Sequence, residues 1–187
     1  GLAALLGTPI EVNRIRANRS RPGLKAQHLA GLRLVGSLCD AEIRNDRLNS
    51  SSIYFFATGL RRTEEKTAGG DTKDVEHFKA TINSAGSTSL VLQAALPILL
   101  FRNSATKVTI SGGTDVGMSP SWDYVRMVTL PQLKNLFLKA GSCHLEAKCS
   151  RRGFFPKGGG QLEIVVQRPP AEASPQPHKE FKISSFE

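Results

Sequence analysis

Between residues 14 and 28 the chain crowds cations and hydrogen-bonding groups together. Arg14, Arg16, Arg19, Arg21 and Lys25 surround a Pro22-Gly23 turn, and Gln27 and His28 follow at once. The stretch leaves a predicted strand and enters a predicted helix. A helix start offers unpaired N–H groups and a positive dipole end, and arginine offers a planar fork to phosphate oxygens. Together these are the means of a phosphate site. The alternative is a solvated arginine cluster beside a packed histidine, the better reading of His28 taken alone. The grouping of complementary donors favours phosphate for the set.

A second constellation is Arg152-Gly153-Phe154-Phe155-Pro156-Lys157-Gly158-Gly159-Gly160. Consecutive glycines let the backbone turn sharply and approach an anion or another segment closely. The pattern is neither a Walker loop nor a dinucleotide fingerprint. Its two phenylalanines either pack beneath the turn or present surfaces on which bases stack. A third constellation pairs Ser84-Ala85-Gly86-Ser87-Thr88, ahead of a helix containing Gln93, with Ser111-Gly112-Gly113-Thr114-Asp115, ahead of Trp122, Asp123 and Tyr124. Gln93 stands in an apolar helix, so a buried partner is expected for it, either a ligand or nearby backbone. His28, His77, His144 and His178 lie apart, and none shows a nucleophile arrangement by spacing.

The elements that must position these groups follow from periodicity. Residues 9–15 read as a strand and 19–23 as a basic loop. From Lys25, the spacing of Leu29, Leu32, Val35 and Leu38 is helical. Strands at 41–48 and 52–57 precede a charged loop at 59–74. The order then begins again, with a strand at 75–82, an apolar helix at 87–101 disturbed near Pro97, and a strand at 107–111. A helix at 121–140 carries Val125, Val128, Leu133 and Leu136 inward and has Pro131 as a possible kink. Strands at 143–149 and 161–167 close the unit. The fold class is α/β (α+β), made of repeated β-α-β-α-β-β units, the first lacking its opening strand. Residues 1–168 form one large domain: 1–58 an incomplete first unit, 59–74 a loop, 75–168 the second unit. Residues 169–187 read as a proline-rich linker, with a further element at 181–183.

Composition sets the bounds. The chain has 187 residues, 40% hydrophobic and 22% charged, ordinary for a globular domain. Lysine and arginine number 25 against 16 acidic residues, a formal charge of +9, which suits a polyanionic partner. No apolar run approaches the roughly 20 residues of a membrane span. Cys39, Cys143 and Cys149 show no zinc spacing or disulfide framework and read as reduced thiols of an intracellular protein. No signal peptide is visible, and the opening reads as the end of a helix capped by Gly7, with the true start missing.

The motifs Ile15-Arg16-Ala17-Asn18-Arg19, Arg21-Pro22-Gly23-Leu24, Gln27-His28-Leu29, Ser84-Ala85-Gly86-Ser87 with Leu92-Gln93, Gly112-Gly113-Thr114-Asp115 and Arg152 to Gly160 resemble the RNA 3'-terminal phosphate cyclases. They occur in order over nearly the whole chain, fading in the 59–74 loop and the tail. The resemblance implies an ATP-dependent, AMP-forming ligase of RNA processing that converts a 3'-phosphate into a 2',3'-cyclic phosphate. Adenylate would pass from ATP to an enzyme histidine and then to RNA, with a divalent metal (Mg or Mn) assisting. It implies nucleotide contacts at Gln93 and Pro120, and Arg16, Arg19, Gln27 and His28 at the terminal phosphate. It implies no protein-held metal site among these residues. The nucleophilic histidine is expected outside this chain, which reads as an N-terminal part, inactive alone. The compartment implied is the nucleus in a eukaryote or the cytoplasm in a bacterium. The competing resemblance is to cyclase-like proteins of ribosome biogenesis, which bind RNA without catalysis and match less well at Gln27-His28 and at residues 113–120.

Overall fold

The computed structural model describes residues 1–57, 75–137 and 143–167. The elements are α1 (Leu2–Leu6), β1 (Ile10–Val12), α2 (Ala26–Leu38), β2 (Glu42–Arg44), β3 (Ile53–Phe56), β4 (Glu76–Thr81), α3 (Thr88–Phe101), β5 (Thr106–Gly112), α4 (Trp122–Tyr124), a π turn (Val125–Thr129), α5 (Leu130–Phe137), β6 (His144–Arg151) and β7 (Gly160–Gln167). This mixture of helix and strand is the expected α/β class. The 59–74 loop, the proline-rich tail and the element at 181–183 lie outside the described residues.

Two sheets form. The first has the order β1-β3-β2 and is antiparallel throughout. The second has the order β4-β5-β7-β6, with β4 parallel to β5 and the other pairs antiparallel. Its last three strands, β5-β7-β6, therefore have the order and sense of β1-β3-β2. Alternation along β5 and β7 sends Val108, Ile110, Leu162, Ile164 and Val166 into the core, each at most 1% exposed. In register, Val108 faces Ile164 and Ile110 faces Leu162. Helix α3 is apolar nearly all round, and it buries Val91, Leu92, Ala95, Ile98 and Leu99. Such a helix needs cover on several sides; it packs on β5 and β7, and on α2, which contributes Leu34, Val35 and Leu38 to the same core. Gly7 ends α1 in the left-handed conformation at φ 63, the cap expected of it.

Several boundaries differ from the sequence reading, each for a local reason. The strand expected at 9–15 covers only Ile10–Val12, because Arg14 and Arg16 both adopt positive φ. The strand expected at 41–48 stops at Arg44, because Asn45 and Asn49 turn left-handed, a conformation asparagine tolerates. In α2 the spacing placed Leu29 and Leu32 inward, yet both are half-buried and Leu34 takes the core position. Val128 was expected inward and is 40% exposed. The π turn adds one residue to the helical phase, so Val125 and Leu130 face the core instead. Pro131 sits just past this turn and has no N–H to return to a carbonyl one α-helical turn earlier. The side chain of Leu136 lies outside the described residues.

Candidate functional site

The first constellation is a braced loop. Left-handed backbone at Arg14 and Arg16, φ 55 at each, costs about 1–2 kcal/mol per residue. Hydrogen bonds offset it. Ile15 N–H donates to Ser51 O at 2.9 Å, and Gly23 N–H donates to Ile15 O at 2.8 Å. The Arg16 guanidinium folds over its own loop and donates to the carbonyls of Arg21 at 2.7 Å and Gly23 at 3.2 Å. At Gly23, φ is 76, and a Cβ there would lie 2.3 Å from Asn49 O, so no other residue fits. Lys25 Nζ donates to Pro22 O and to Asn49 Oδ1. Arg14, Arg19 and Arg21 are exposed, and among the described residues none has a carboxylate partner. Charge here is held by neutral acceptors and left unneutralised, as an anion site requires.

Helix α2 begins where this loop ends. Lys25 N–H donates to His28 Nδ1 at 3.1 Å, which places any ring proton of the neutral imidazole on Nε2. Burial, then the charges of Arg16 and Lys25, hold the His28 pKa below the ordinary 6.5. Gln27 Oε1 accepts from Ser87 N–H at 2.9 Å. That bond spans 60 positions of sequence and orients the amide, leaving its two N–H donors for other partners.

Ser87 is the N-cap of α3, and its Oγ accepts from Leu90 N–H at 3.2 Å. The Ser87 and Ser89 hydroxyls lie 2.8 Å apart, and Ser89 Oγ donates to Pro120 O at 2.6 Å. Because the Ser89 proton goes to Pro120, the Ser87 hydroxyl donates to Ser89. Gln93 stands one turn beyond Ser89 on the same side of α3. It is exposed, so the buried partner expected for it is not needed. Gly113 N–H donates to Gly86 O at 2.8 Å, and Thr88 donates from N and Oγ1 back to Gly113 O. These turns follow the ends of β4 and β5, the parallel pair, where open α/β sheets bind ligands.

The glycine-rich segment closes onto the same turns. Arg152 forks to Asp115 Oδ1 at 2.8 Å and Asp123 Oδ1 at 2.7 Å. Thr114 Oγ1 donates to Asp115 Oδ2 at 2.6 Å and accepts from Gly153 N–H at 2.9 Å. Burial pushes the Asp115 pKa up, but hydrogen bonds from Thr114 and Arg152 outweigh it, and the carboxyl lies below its ordinary 3.8. A Cβ on Gly153 would come within 2.3 Å of Gly160 N, and one on Gly158, at φ 70, within 2.4 Å of Ser84 O. These two glycines therefore serve backbone-to-backbone packing between segments. Phe154 and Phe155 do not pack beneath the turn; they are 57% and 81% exposed.

The structure thus brings Gln27, Gln93 and Pro120 to one edge through the hydroxyls and backbone of α3's first turn. The charges of Arg16 and Lys25 bear on His28, the residue after Gln27, and Arg19 lines the same surface hollow as Arg16. The sequence reading gave no role to Ser89 or to the Arg152–Asp115–Asp123 fork. The only signal was polarity: hydroxyls opening an apolar helix, and two acids near an arginine distant in sequence. His77 on β4 and His144 on β6 are exposed, and His144 pairs with Glu146 at 3.0 Å. His178 lies outside the described residues. No cluster of three metal-ligating side chains occurs among the described residues. Burial raises the Cys39 thiol to about 11. No helix among the described residues is long and apolar enough to cross a membrane.

Comparison with known proteins agrees with the motifs. The family model described as RNA 3'-terminal phosphate cyclase matches residues 1–179. A protein of that name from Hyperthermus butylicus is 40% identical over 174 residues, covering 93% of this chain and 44% of the relative. One from Methylococcus capsulatus is 41% identical over 165 residues, covering 88% and 43%. One from Pyrobaculum aerophilum is 38% identical over 166 residues, covering 89% and 42%. The chain therefore spans less than half the length of these relatives, while its own length is almost wholly matched, and it belongs to the RNA 3'-terminal phosphate cyclase family.

Proposed function

We propose that this edge is the part of a cyclase active site that receives an RNA 3'-phosphate beside a nucleotide. The protein carrying it would convert the 3'-phosphate to a 2',3'-cyclic phosphate at the expense of ATP, through enzyme-adenylate and RNA-adenylate stages. Arg16, Arg19, Gln27 and His28 take the RNA phosphate, and Gln93 with Pro120 take the nucleotide. The observation that carries the reading is the pair of bonds from α3's first turn, Ser87 N–H to Gln27 and Ser89 Oγ to Pro120. They tie the two groups of residues to one rigid helix start. The donors fit a phosphate: unneutralised guanidinium groups, an amide with free N–H and an imidazole. A divalent metal fits only as a companion of the triphosphate, since Asp115 and Asp123 are already engaged by Arg152. When bound, it would offset phosphate charge. The nucleophilic histidine is assigned to no residue here. The reading places the protein inside the cell, in the nucleus or the cytoplasm according to its source.

The test gives the full-length protein ATP labelled on its α-phosphate, a divalent metal and oligoribonucleotides ending in 3'-phosphate or 3'-hydroxyl. Covalent label followed by cyclisation of the phosphorylated RNA alone is the expected outcome. RNA binding with no label transfers the reading to the non-catalytic, ribosome-biogenesis class.

A further inference from the structure

The two phenylalanines of the glycine-rich segment have no place in the contacts above. Phe155 is 81% exposed and Phe154 57%, on a segment whose backbone is fixed. Gly158 N–H donates to Phe154 O at 2.7 Å, and Phe154 bridges to Asp115. Adjacent aromatic rings held in water on a braced turn cost apolar hydration that burial would recover. The site lies close by, because Gly158 abuts Ser84 and Ser87 of that same turn holds Gln27. The local charge is positive. Lys157, between the phenylalanines and Gly158, is exposed and has no acidic partner among the described residues, whereas Arg152 is consumed by Asp115 and Asp123.

We infer that Phe154 and Phe155, with Lys157, form a stacking platform for unpaired bases of a single-stranded RNA whose 3'-end lies at the Arg16–His28 side. The inference deepens the proposed function and rests on it for the substrate class. Aromatic faces accept any base, and a lysine at their side accepts the backbone phosphate between bases, so the platform binds single strands with little sequence preference. A protein partner would match the apolar rings but leave the lysine and the +9 charge of the chain unused.

The experiment measures binding of two short 3'-phosphorylated oligoribonucleotides to the full chain, one normal and one lacking the bases of its last three nucleotides. Phe155→Ala is expected to weaken the normal oligonucleotide roughly 5- to 100-fold, the scale of one lost stack, and to leave the abasic one unchanged. Phe155→Tyr should restore binding. Lys157→Gln should weaken both and lower the salt slope by about 1. Phe155→Trp supplies a direct readout, since the one tryptophan of these 187 residues, Trp122, is buried, and the indole signal gained over the unsubstituted protein should be quenched by the normal oligonucleotide only. A thermal melt of each variant checks that the fold is retained. Equal affinity of wild type and F155A for the normal oligonucleotide, or equal loss for both oligonucleotides, overturns the platform. So does a change of oligomeric state in F155A with RNA affinity intact, which assigns the rings to a protein contact. Preference for 3'-phosphate over 3'-hydroxyl ends is scored separately: its loss with base dependence intact fails the proposed function and spares the platform.

Discussion

The turn after β1 and the turn after β5 occupy the same place in the strand order, and they are held by different means. The first, residues 13–25, is propped by side chains reaching carbonyls: Arg16 to Arg21 and Gly23, Lys25 to Pro22. Its remaining cations stay unpaired. The second, residues 113–121, is packed backbone against backbone through Gly113 and Gly153, and its acid Asp115 is neutralised by Arg152. Rigidity and available charge are thus separated. A cluster that paired its own cations would offer an anion nothing, and a cluster left wholly unsupported would pay side-chain entropy on binding. Neutral carbonyls hold the first turn without quenching it, and the second turn supplies stiffness nearby.

The largest effect should come from Gly153→Ala. The added carbon meets Gly160 N and Gly112 O at 2.3 and 2.4 Å, both backbone, so relief requires moving strands; a loss of about 3 kcal/mol or more, or failure to fold, is expected in a denaturant titration. Gly159→Ala has open space around it and only its φ of 72 against it, so about 1 kcal/mol is expected. Equal costs would break the claim that the second turn is stiff through close packing.

Arg16→Ala should come next, because it removes a prop and, on the proposed function, a phosphate contact together. Two charge-assisted bonds on a half-exposed side chain put the stability loss at about 1–2 kcal/mol, with use of 3'-phosphate ends falling by roughly ten- to a hundredfold. Arg19→Ala should show the second loss without the first, its stability staying within about 0.5 kcal/mol. A melt and an end-group comparison on both variants sharpen the contrast between a bracing arginine and a free one.

The smallest effect is the titration of His28. Its pKa is depressed, so the neutral ring's contribution to stability is fully present above 6.5 and is lost as pH falls through the folded value. NMR titration should find it below 6.5 in the free protein, and a bound phosphate, by attraction, should move it upward. A free-state value above 6.5 would mean that neither burial nor the cations of the first turn govern the ring.

The elements whose pattern was strong were legible. Helix α3, strands β5 and β7 and the Gly7 cap followed from apolar runs and from glycine, because burial on both sides or a left-handed end leaves a mark in composition. Strand β1 was overextended, since nothing in Arg14 or Arg16 announces positive φ; the loop imposes it through Ser51, a partner distant in sequence. Gln93 is exposed where burial was expected, because helical spacing does not say which face of an apolar helix meets solvent near its start. The convergence of Gln27, Gln93 and Pro120 depends on Ser87 and Ser89, whose partners lie 60 and 31 positions away. Local pattern carries no such information. The motifs point to individual turns, and only tertiary contacts say what joins them.

The π turn bears on which changes of chain length the protein tolerates. Deleting a residue inside an ordinary helix rotates everything beyond it by about 100°, which carries buried residues into solvent. Residues Val125–Thr129 already hold one residue too many, so removing exposed Met127 would return Val125 and Leu130 to regular helical spacing. Pro131 stands against that repair, because a regular helix would drive its ring into a carbonyl of the preceding turn. The surplus residue and the proline therefore form a matched pair. A shortened chain should fold when Pro131 is replaced by alanine and fail when it is kept, so that at this point of the helix length and composition can change only together.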